Sequence, residues 1–442
     1  MTLRTLVVCC AWIAGAATAQ PQSASAPPTF YRDVLPVLQQ RCQGCHRPGQ
    51  VAPMSLLTFP EVRPWAKAIR QAVLTRRMPP WFADPQYGAF RNEARLSGAE
   101  IATIERWVDT GSSEGRSEDA PPPLAFDDEW TIGKPDWIVQ LPRELKVPAS
   151  GKVEYVHVRV PLGLPDDHWV RAIEARPSHP EVVHHIDVLA FDPRTSKYGK
   201  LEPGRPYTDP FDPASLPRGD DDGTGEAYGD GAELMGGYIP GNNRSELGPG
   251  RARFLPRGSD LMLVIHFTPN GKATSERSRV AFLFSERPPT ERVRRYLLEN
   301  YRFAIPPNTA DFVVHSLVTL RANARLLSLT PHMHLRGKSF RYEAVLPDGR
   351  RETLLVLPRY DFHWQLTYYL AEPRLLPKGT RIECTAHYDN SVNNPYNPDP
   401  DRTVRWGEQT WDEMMTGIVD IAVPAGEELA GVWEKPTYSS KQ

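Results

Sequence analysis

Three groups of residues in this chain carry side chains suited to redox or metal chemistry, and they lie far apart in sequence. The first is "RCQGCHRPG", in which Cys42 and Cys45 precede His46. Thiols at that spacing add to haem vinyl groups while the adjacent imidazole becomes an axial iron ligand, so the motif implies one covalently attached c-type haem. A redox dithiol would call for a βαβ context and a zinc site for a second cysteine pair, and the sequence offers neither. His46 is the only histidine before residue 150. The second axial ligand is therefore expected to be a methionine, with Met78 in "RRMPPWF" favoured over Met54, which leaves little chain after His46 to build a haem wall.

The other two groups are histidines. His184 and His185 are adjacent inside the apolar run "HPEVVHHIDVLAF", and His266 ends "LMLVIHF". Neighbouring side chains in a regular strand point to opposite faces, so His184 and His185 can serve one site only where the strand is twisted or bulged. His332-x-His334 in "LTPHMHLRGKSF" has the spacing that puts two rings on one face within chelating reach.

The elements that must position these groups change character along the chain. Residues 31–41, Trp65 to Thr75 and Ala99 to Thr110 read as helices; Ser97-x-x-Glu100 forms a capping box, Ile101, Ile104 and Val108 make an apolar stripe, and Gly111 ends the last helix. "GSSEGRSEDAPPPL" reads as a linker with no core of its own. From about residue 130 the pattern becomes short apolar or alternating runs between Gly, Pro and Asp turns: Val153–Val160, Val182–Phe191, Leu261–Phe267, Val280–Phe284, Phe312–Leu320 and Arg341–Leu346. That is an all-β sandwich pattern. "SERPPTERVRRYLLEN" interrupts it and marks the expected boundary between two sandwiches.

Residues 28–115 resemble a single-haem class I type cytochrome c, which implies an electron carrier. Over residues 130–425, "VVHHIDVLAF", "VIHFTPNG", "PHMHLRGKSF" and "WGEQTWDEMMTG" occur in that order and resemble the copper type II, ascorbate-dependent monooxygenases, such as peptidylglycine hydroxylating monooxygenase and dopamine β-monooxygenase. The resemblance implies two copper ions. His184, His185 and His266 would hold one, which in the family stores and delivers an electron. His332, His334 and Met414 would hold the other, which in the family binds and activates dioxygen. Met415 is the alternative thioether; Met414 directly follows Asp-Glu as in the family pattern. A thioether among imidazoles is a soft ligand set suited to Cu(I), whereas three histidines alone would equally hold catalytic zinc. The implied reaction inserts one oxygen atom into a C–H bond.

Two positions depart from the peptide-amidating enzyme. Thr330 stands where that enzyme has the arginine that holds a substrate carboxylate, and Ile418 where it has a tyrosine. A glycine-extended peptide is therefore not the expected substrate, because the guanidinium suited to bidentate carboxylate binding is missing.

The resulting expectation is multidomain: a small all-α cytochrome c domain followed by two all-β, jelly-roll-like sandwiches. The boundaries are an export signal over 1–19, the haem domain over 28–115, a linker over 116–130, and sandwiches over 131–290 and 291–430. Arg4, the apolar run Leu6 to Gly15 and Ala17-Thr18-Ala19 make up the signal. Export places the protein in the periplasm or outside the cell. A lipoprotein reading through Cys9 or Cys10 is weaker, since both sit early in the apolar core. Cys384 is left unpaired and reads as a small buried hydrophobe.

The 442 residues carry a formal charge of −2 with Lys and Arg spread along the chain, which gives no footprint for nucleic acid. No segment after the signal has the apolar length of a membrane span. The expected partners are a small organic substrate, O2 and an external electron donor, either ascorbate-like or a redox protein; the haem could relay its electrons to the histidine-only copper. The competing functions are a copper protein that transfers electrons without hydroxylating anything, and a zinc hydrolase built on His184, His185 and His266. The acidic stretch 218–231 fails EF-hand spacing and reads as a surface loop.

Overall fold

One long sheet carries the buried charge cluster of this molecule and contributes to both of its large apolar cores. The computed structural model describes residues 26–126, 130–208, 232–427 and 432–434. The export signal and the acidic stretch 218–231 lie outside the described residues.

The central sheet has nine strands, in the order Trp137–Gln140, Arg279–Phe284, His168–Arg176, Arg251–Leu255, Glu291–Glu299, Thr416–Pro424, Ala324–His332 and Tyr368–Leu376, with Arg244–Glu246 beside His168–Arg176. Its first half packs on a five-stranded sheet of Pro206–Tyr207, Val156–Pro161, Asp260–Phe267, Val183–Phe191 and Glu233–Tyr238. Val158, Ile186, Val188, Leu263 and Phe282 fill the space between them. Its second half packs on Phe312–Thr319, Arg381–Tyr388, Gly337–Val345 and Arg351–Leu357, around Leu329, Phe340, Tyr342, Cys384 and Met415. The result is two β-sandwiches that share one sheet.

Asp260–Phe267 is buried at every residue because the five-stranded sheet is covered on both faces. Leu263 and Ile265 face the inter-sheet core, and Met262 and Val264 face an outer cluster with Tyr155, Leu189 and Tyr198. That double burial explains why "LMLVI" shows no alternation.

The segment 285–300, read as an interruption of the β pattern at the boundary between two sandwiches, contains a strand that joins the two halves. Glu291–Glu299 pairs antiparallel with Thr416–Pro424 along its whole length and, at Glu291 and Arg292, parallel with Arg251–Leu255. Its charged residues misled the sequence reading because Arg295 is inward and paired. Asp420, almost fully buried, accepts from Arg253 Nη2 at 2.5 Å, from Arg295 Nε and Nη2 at 2.8 Å, and from Ser328 Oγ at 2.8 Å. Burial alone would raise the Asp420 carboxyl; the Arg253 and Arg295 charges overcome it and hold the group well below the usual carboxylate range. Arg253 also donates to the Met235 carbonyl, so one guanidinium ties strands from both sandwiches.

Residues 26–126 are mainly helical: a π-helical turn Phe30–Val34 leads into Leu35–Arg41, followed by Phe59–Val62, Ala66–Leu74 and Gly98–Asp109. The capping box forms as read, with Glu100 N donating to Ser97 Oγ at 3.2 Å and Ser97 N to the Glu100 carboxylate at 2.6 Å. Gly111, at φ 99°, ends the helix where an L side chain would be strained. Phe30, Leu38, Val62 and Trp107 make the core.

The expected linker does not hang free. Phe30 N donates to Ser113 O at 2.9 Å, Tyr31 N to Glu114 O at 3.2 Å and Gln39 Nε2 to Pro122 O at 2.9 Å, which lays residues 113–122 back along the first helix. Among the described residues no helix is long and apolar enough to cross a membrane.

The Asp420 cluster gives a stability prediction. Asp420→Asn leaves two buried guanidiniums without their counter-charge and should cost about 3–5 kcal/mol in urea unfolding. Asp311→Asn, at the exposed His387 pair, should stay within about 1 kcal/mol of wild type. Equal, small losses would contradict the role given to the cluster.

Candidate metal centre

The strand Val183–Phe191 carries the irregularity that its adjacent histidines require. Its register with Asp260–Phe267 runs one to one until His266 faces His185, and then Phe267 faces Val183, so His184 is the extra residue of a bulge. The bulge turns the two rings towards each other, with His184 Nδ1 and His185 Nδ1 3.0 Å apart. Possible donor nitrogens of His184, His185 and His266 all lie within 4.8 Å of one another, and all three residues are buried.

Their hydrogen bonding is incomplete without an ion. His184 Nε2 and His266 Nδ1 are buried with no partner, and buried polar atoms ordinarily have one. Two nitrogens held by one ion at about 2.0 Å in a tetrahedral set lie about 3.3 Å apart, and one candidate nitrogen from each of the three rings lies within 4.8 Å of the others. The residues therefore fit a metal. Tyr155 packs edge-on to His266, with centroids 4.6 Å apart, and Thr410 Oγ1, from the second sandwich, reaches His266 Nε2 at 3.4 Å.

His332 is the last residue of the strand Ala324–His332, and His334 lies in the turn beyond it. The pair is therefore held by hydrogen bonds as well as by the strand pleat. Their rings stand at 88° with centroids 5.2 Å apart. Gln365 Oε1 accepts from His332 Nδ1 at 2.6 Å and the Asp412 carbonyl faces His334 Nδ1 at 3.3 Å. Protons on both Nδ1 atoms leave Nε2 as the free donor on each ring, and His334 Nε2 is buried with no partner. Partners of this kind fix the tautomer and orientation of a ligating imidazole.

Between the two rings, Met333 points into the core, and Tyr360 Oη bonds both its N, at 3.1 Å, and its O, at 2.8 Å. Below, buried Glu413 accepts from His334 N at 2.8 Å, Arg336 N at 2.7 Å and Met414 N at 3.2 Å. Burial pushes the Glu413 carboxyl up to about 8, against the pull of those backbone donors and of Arg336. The same contacts bring the backbone of Met414 beside the His332–His334 turn, and Tyr388 Oη donates to Met414 O at 2.8 Å. Met415 is fully buried in the second core, whereas Met414 is half-buried.

The two histidine groups face each other. Phe362 stacks on His184 at 4.7 Å and 18° and lies 6.2 Å from the His266 ring and 6.0 Å from the His334 ring. One buried phenyl ring neighbours both groups. His363 is exposed, its ring 6.0 Å from His184. Burial is the largest cause lowering every one of the five imidazoles, His332 to about 4, His266 to about 3 and the others well below the ordinary value. All five are neutral at physiological pH, the state a metal ligand needs.

Cys42, Cys45 and His46 occupy one helical turn: Cys45 N and His46 N both donate to Cys42 O, at 3.1 and 2.9 Å. Both thiols are unpaired, and burial pushes Cys42 up to about 12 and raises Cys45. His46 Nδ1 faces Met54 O at 3.3 Å, which frees Nε2 as a ligand. Cys42, Cys45 and His46 are the residue types that would hold a c-type haem. Met54 packs into the helical core beside Cys42. Met78 lines a cavity of about 420 Å³ with Val73, Leu96, Trp81 and Arg359. Cys42, Cys45 and His46 are not among the residues lining that cavity.

Sequence reading missed Phe362, Gln365, Thr410 and Tyr155, which come from other elements and carry no spacing signal. Glu413 was visible inside "DEMM". Of the remaining histidines, His157 is buried and His387 pairs with Asp311 at 3.0 Å.

No family model matches this chain, and no curated protein does. Among solved structures, the major capsid protein of bacteriophage PM2 is 13% identical, with 67% of this chain and 98% of that chain covered at a TM-score of 0.26. Infectious bursal disease virus, Gt strain, gives 9% identity, 73% and 79% coverage and a TM-score of 0.19. Scores this low do not define a shared fold.

Two outcomes follow from the geometry. Gln365→Leu removes the acceptor that fixes His332 and should weaken metal binding at that centre by about 10–100-fold, leaving His184, His185 and His266 unaffected in chelator competition. Because the imidazoles are already neutral, metal affinity at pH 6 should stay within about threefold of that at pH 7.5. Three ordinary imidazoles titrating near 6.5 would lose about 10–100-fold over the same range, and such a loss would contradict the burial argument.

Proposed function

We propose that this chain is an exported haem- and copper-containing monooxygenase. The observation that carries the reading is the convergence of His184, His185 and His266 from one sandwich with His332 and His334 from the other, both groups beside Phe362. His184, His185 and His266 would hold one copper; His332, His334 and Met414 would hold the second. Copper, when bound, supplies one-electron chemistry and dioxygen activation, for insertion of one oxygen atom of O2 into a C–H bond of a small organic substrate while an external donor's two electrons and two protons reduce the other to water. Cys42, Cys45 and His46, with Met78, would hold a haem that carries those electrons singly.

The chain's own residues have definite tasks in this scheme. Gln365 Oε1 holds a proton on His332 Nδ1 and the Asp412 carbonyl one on His334 Nδ1, so both rings present Nε2. Phe362 and Tyr155 exclude water from the three-histidine centre. On the sheet face that carries His332, Thr330 Oγ1 is engaged by Thr367 Oγ1 at 2.8 Å, and Ile418 faces Thr330 in register. That face offers hydroxyls and an apolar side chain where a carboxylate would need a guanidinium, which supports a neutral substrate over a glycine-extended peptide.

The test is metal content of protein exported by a host that attaches haem. About one iron and two coppers per chain are expected, with one copper lost in His332→Ala and iron lost in Cys42→Ala/Cys45→Ala while both coppers remain. Zinc in the three-histidine centre, or no copper after reconstitution, would replace this reading with the hydrolase or with a cytochrome fused to a binding protein.

A further inference from the structure

The helical domain is built into the second sandwich, and it meets that sandwich at the edge strand beside the one that ends at His332. Tyr368–Leu376 is the last strand of the central sheet, with Ala324–His332 on its inner side. On its outer side lie residues 89–92: Ala371 N donates to Ala89 O at 2.8 Å, Arg91 N to Tyr369 O at 3.0 Å, and Phe90 bridges to Leu370. The Asn92 side chain closes a reciprocal pair, donating to Thr367 O at 2.8 Å and accepting from Tyr369 N at 3.1 Å. Trp81 and Phe90 meet the Tyr368 ring edge-on, at 4.8 and 5.5 Å. All three rings are buried.

From that seat the chain runs directly back to the His332–His334 centre. Thr367 bonds Thr330, two residues before His332, and Gln365 bonds His332 itself. Residues 364–367 form no ladder of their own. Their position is set at one end by Phe362 among the histidines and at the other by the contacts of Trp81, Phe90 and Asn92.

We infer that the segment 81–92 is a positioning element of the His332–His334 centre, so that the seating of the helical domain sets the geometry of that metal site. The path is Trp81 and Asn92 to Tyr368 and Thr367, then Gln365, then His332 Nδ1. An imidazole whose partner shifts loses both orientation and donor strength, an effect that is typically 10–100-fold in metal affinity. The inference rests on the proposed metal reading, and it makes the helical domain part of the second centre while leaving the first independent of it.

The experiment uses the full copper-loaded chain. Asn92→Ala removes two hydrogen bonds without opening a core cavity, and Trp81→Ala removes the ring against Tyr368. Cu(I) affinity of each centre is read by competition with a chromogenic chelator, and the Cu(II) spectrum of the second centre by paramagnetic resonance. Both variants should weaken the second centre by about tenfold or more and shift its hyperfine splitting, while the three-histidine centre keeps wild-type affinity and so reports an intact fold. Trp81→Phe, which keeps an aromatic edge on Tyr368, should restore the wild-type spectrum. Wild-type affinity and spectrum in both Ala variants would overturn this inference alone. Wild-type protein that holds no metal at His332 and His334 would sink it together with the reading it rests on.

Discussion

Asp420, buried between Arg253 and Arg295, is the constraint from which the rest of the arrangement follows. A carboxylate taken out of water must be paired, and here its two partners come from strands on either side of the junction between the sandwiches. Because Arg251–Leu255, Glu291–Glu299 and Thr416–Pro424 are also neighbours in one ladder, the halves cannot hinge without breaking main-chain hydrogen bonds and exposing the charge cluster. The two histidine groups sit on halves that are locked in this way. Their relative placement is a property of the fold, with Phe362 beside both.

A second constraint is the loop and strand over 360–371, which touches each functional part in turn. Tyr360 clamps the backbone between His332 and His334, Phe362 stacks on His184, Gln365 orients His332, Thr367 meets Thr330, and Tyr368 to Ala371 receive the helical domain. Few of these contacts are with charged groups, so the centres lie in a dry environment that keeps every imidazole neutral. Imidazoles with a thioether are donor types that suit copper, and three neutral imidazoles suit copper or zinc.

Much of this was legible in sequence where the signal is local. The helix Gly98–Asp109 was readable from Ser97 and Glu100 because a capping box is contained in four residues, and the bulge at His184 followed from two adjacent histidines needing one face. Glu291–Glu299 was not, because its arginines look like a surface until Asp420, more than a hundred residues away, is placed against them. The linker expected over 116–130 has hydrogen bonds that composition did not show for a related reason: residues 113–122 bond to residues 30, 31 and 39, largely through backbone groups, which leave no mark in composition. The docking of residues 89–92 through a β-bridge likewise depends on the outer edge of Tyr368–Leu376, which exists only once the sheet is assembled. Spacing marked the histidines of both centres, but Gln365, Phe362 and Thr410, which orient and enclose them, are visible only in three dimensions.

The central claim is a copper held by His332, His334 and a methionine sulfur, in the same chain as a three-histidine copper. X-ray absorption at the copper edge of the reduced, fully loaded protein tests it most directly, because sulfur and nitrogen scatter distinguishably. The account predicts a sulfur contribution on top of imidazole nitrogen, lost in Met414→Leu and kept in Met415→Leu. A wild-type spectrum with nitrogen or oxygen neighbours alone, or a sulfur signal that survives Met414→Leu, would contradict it.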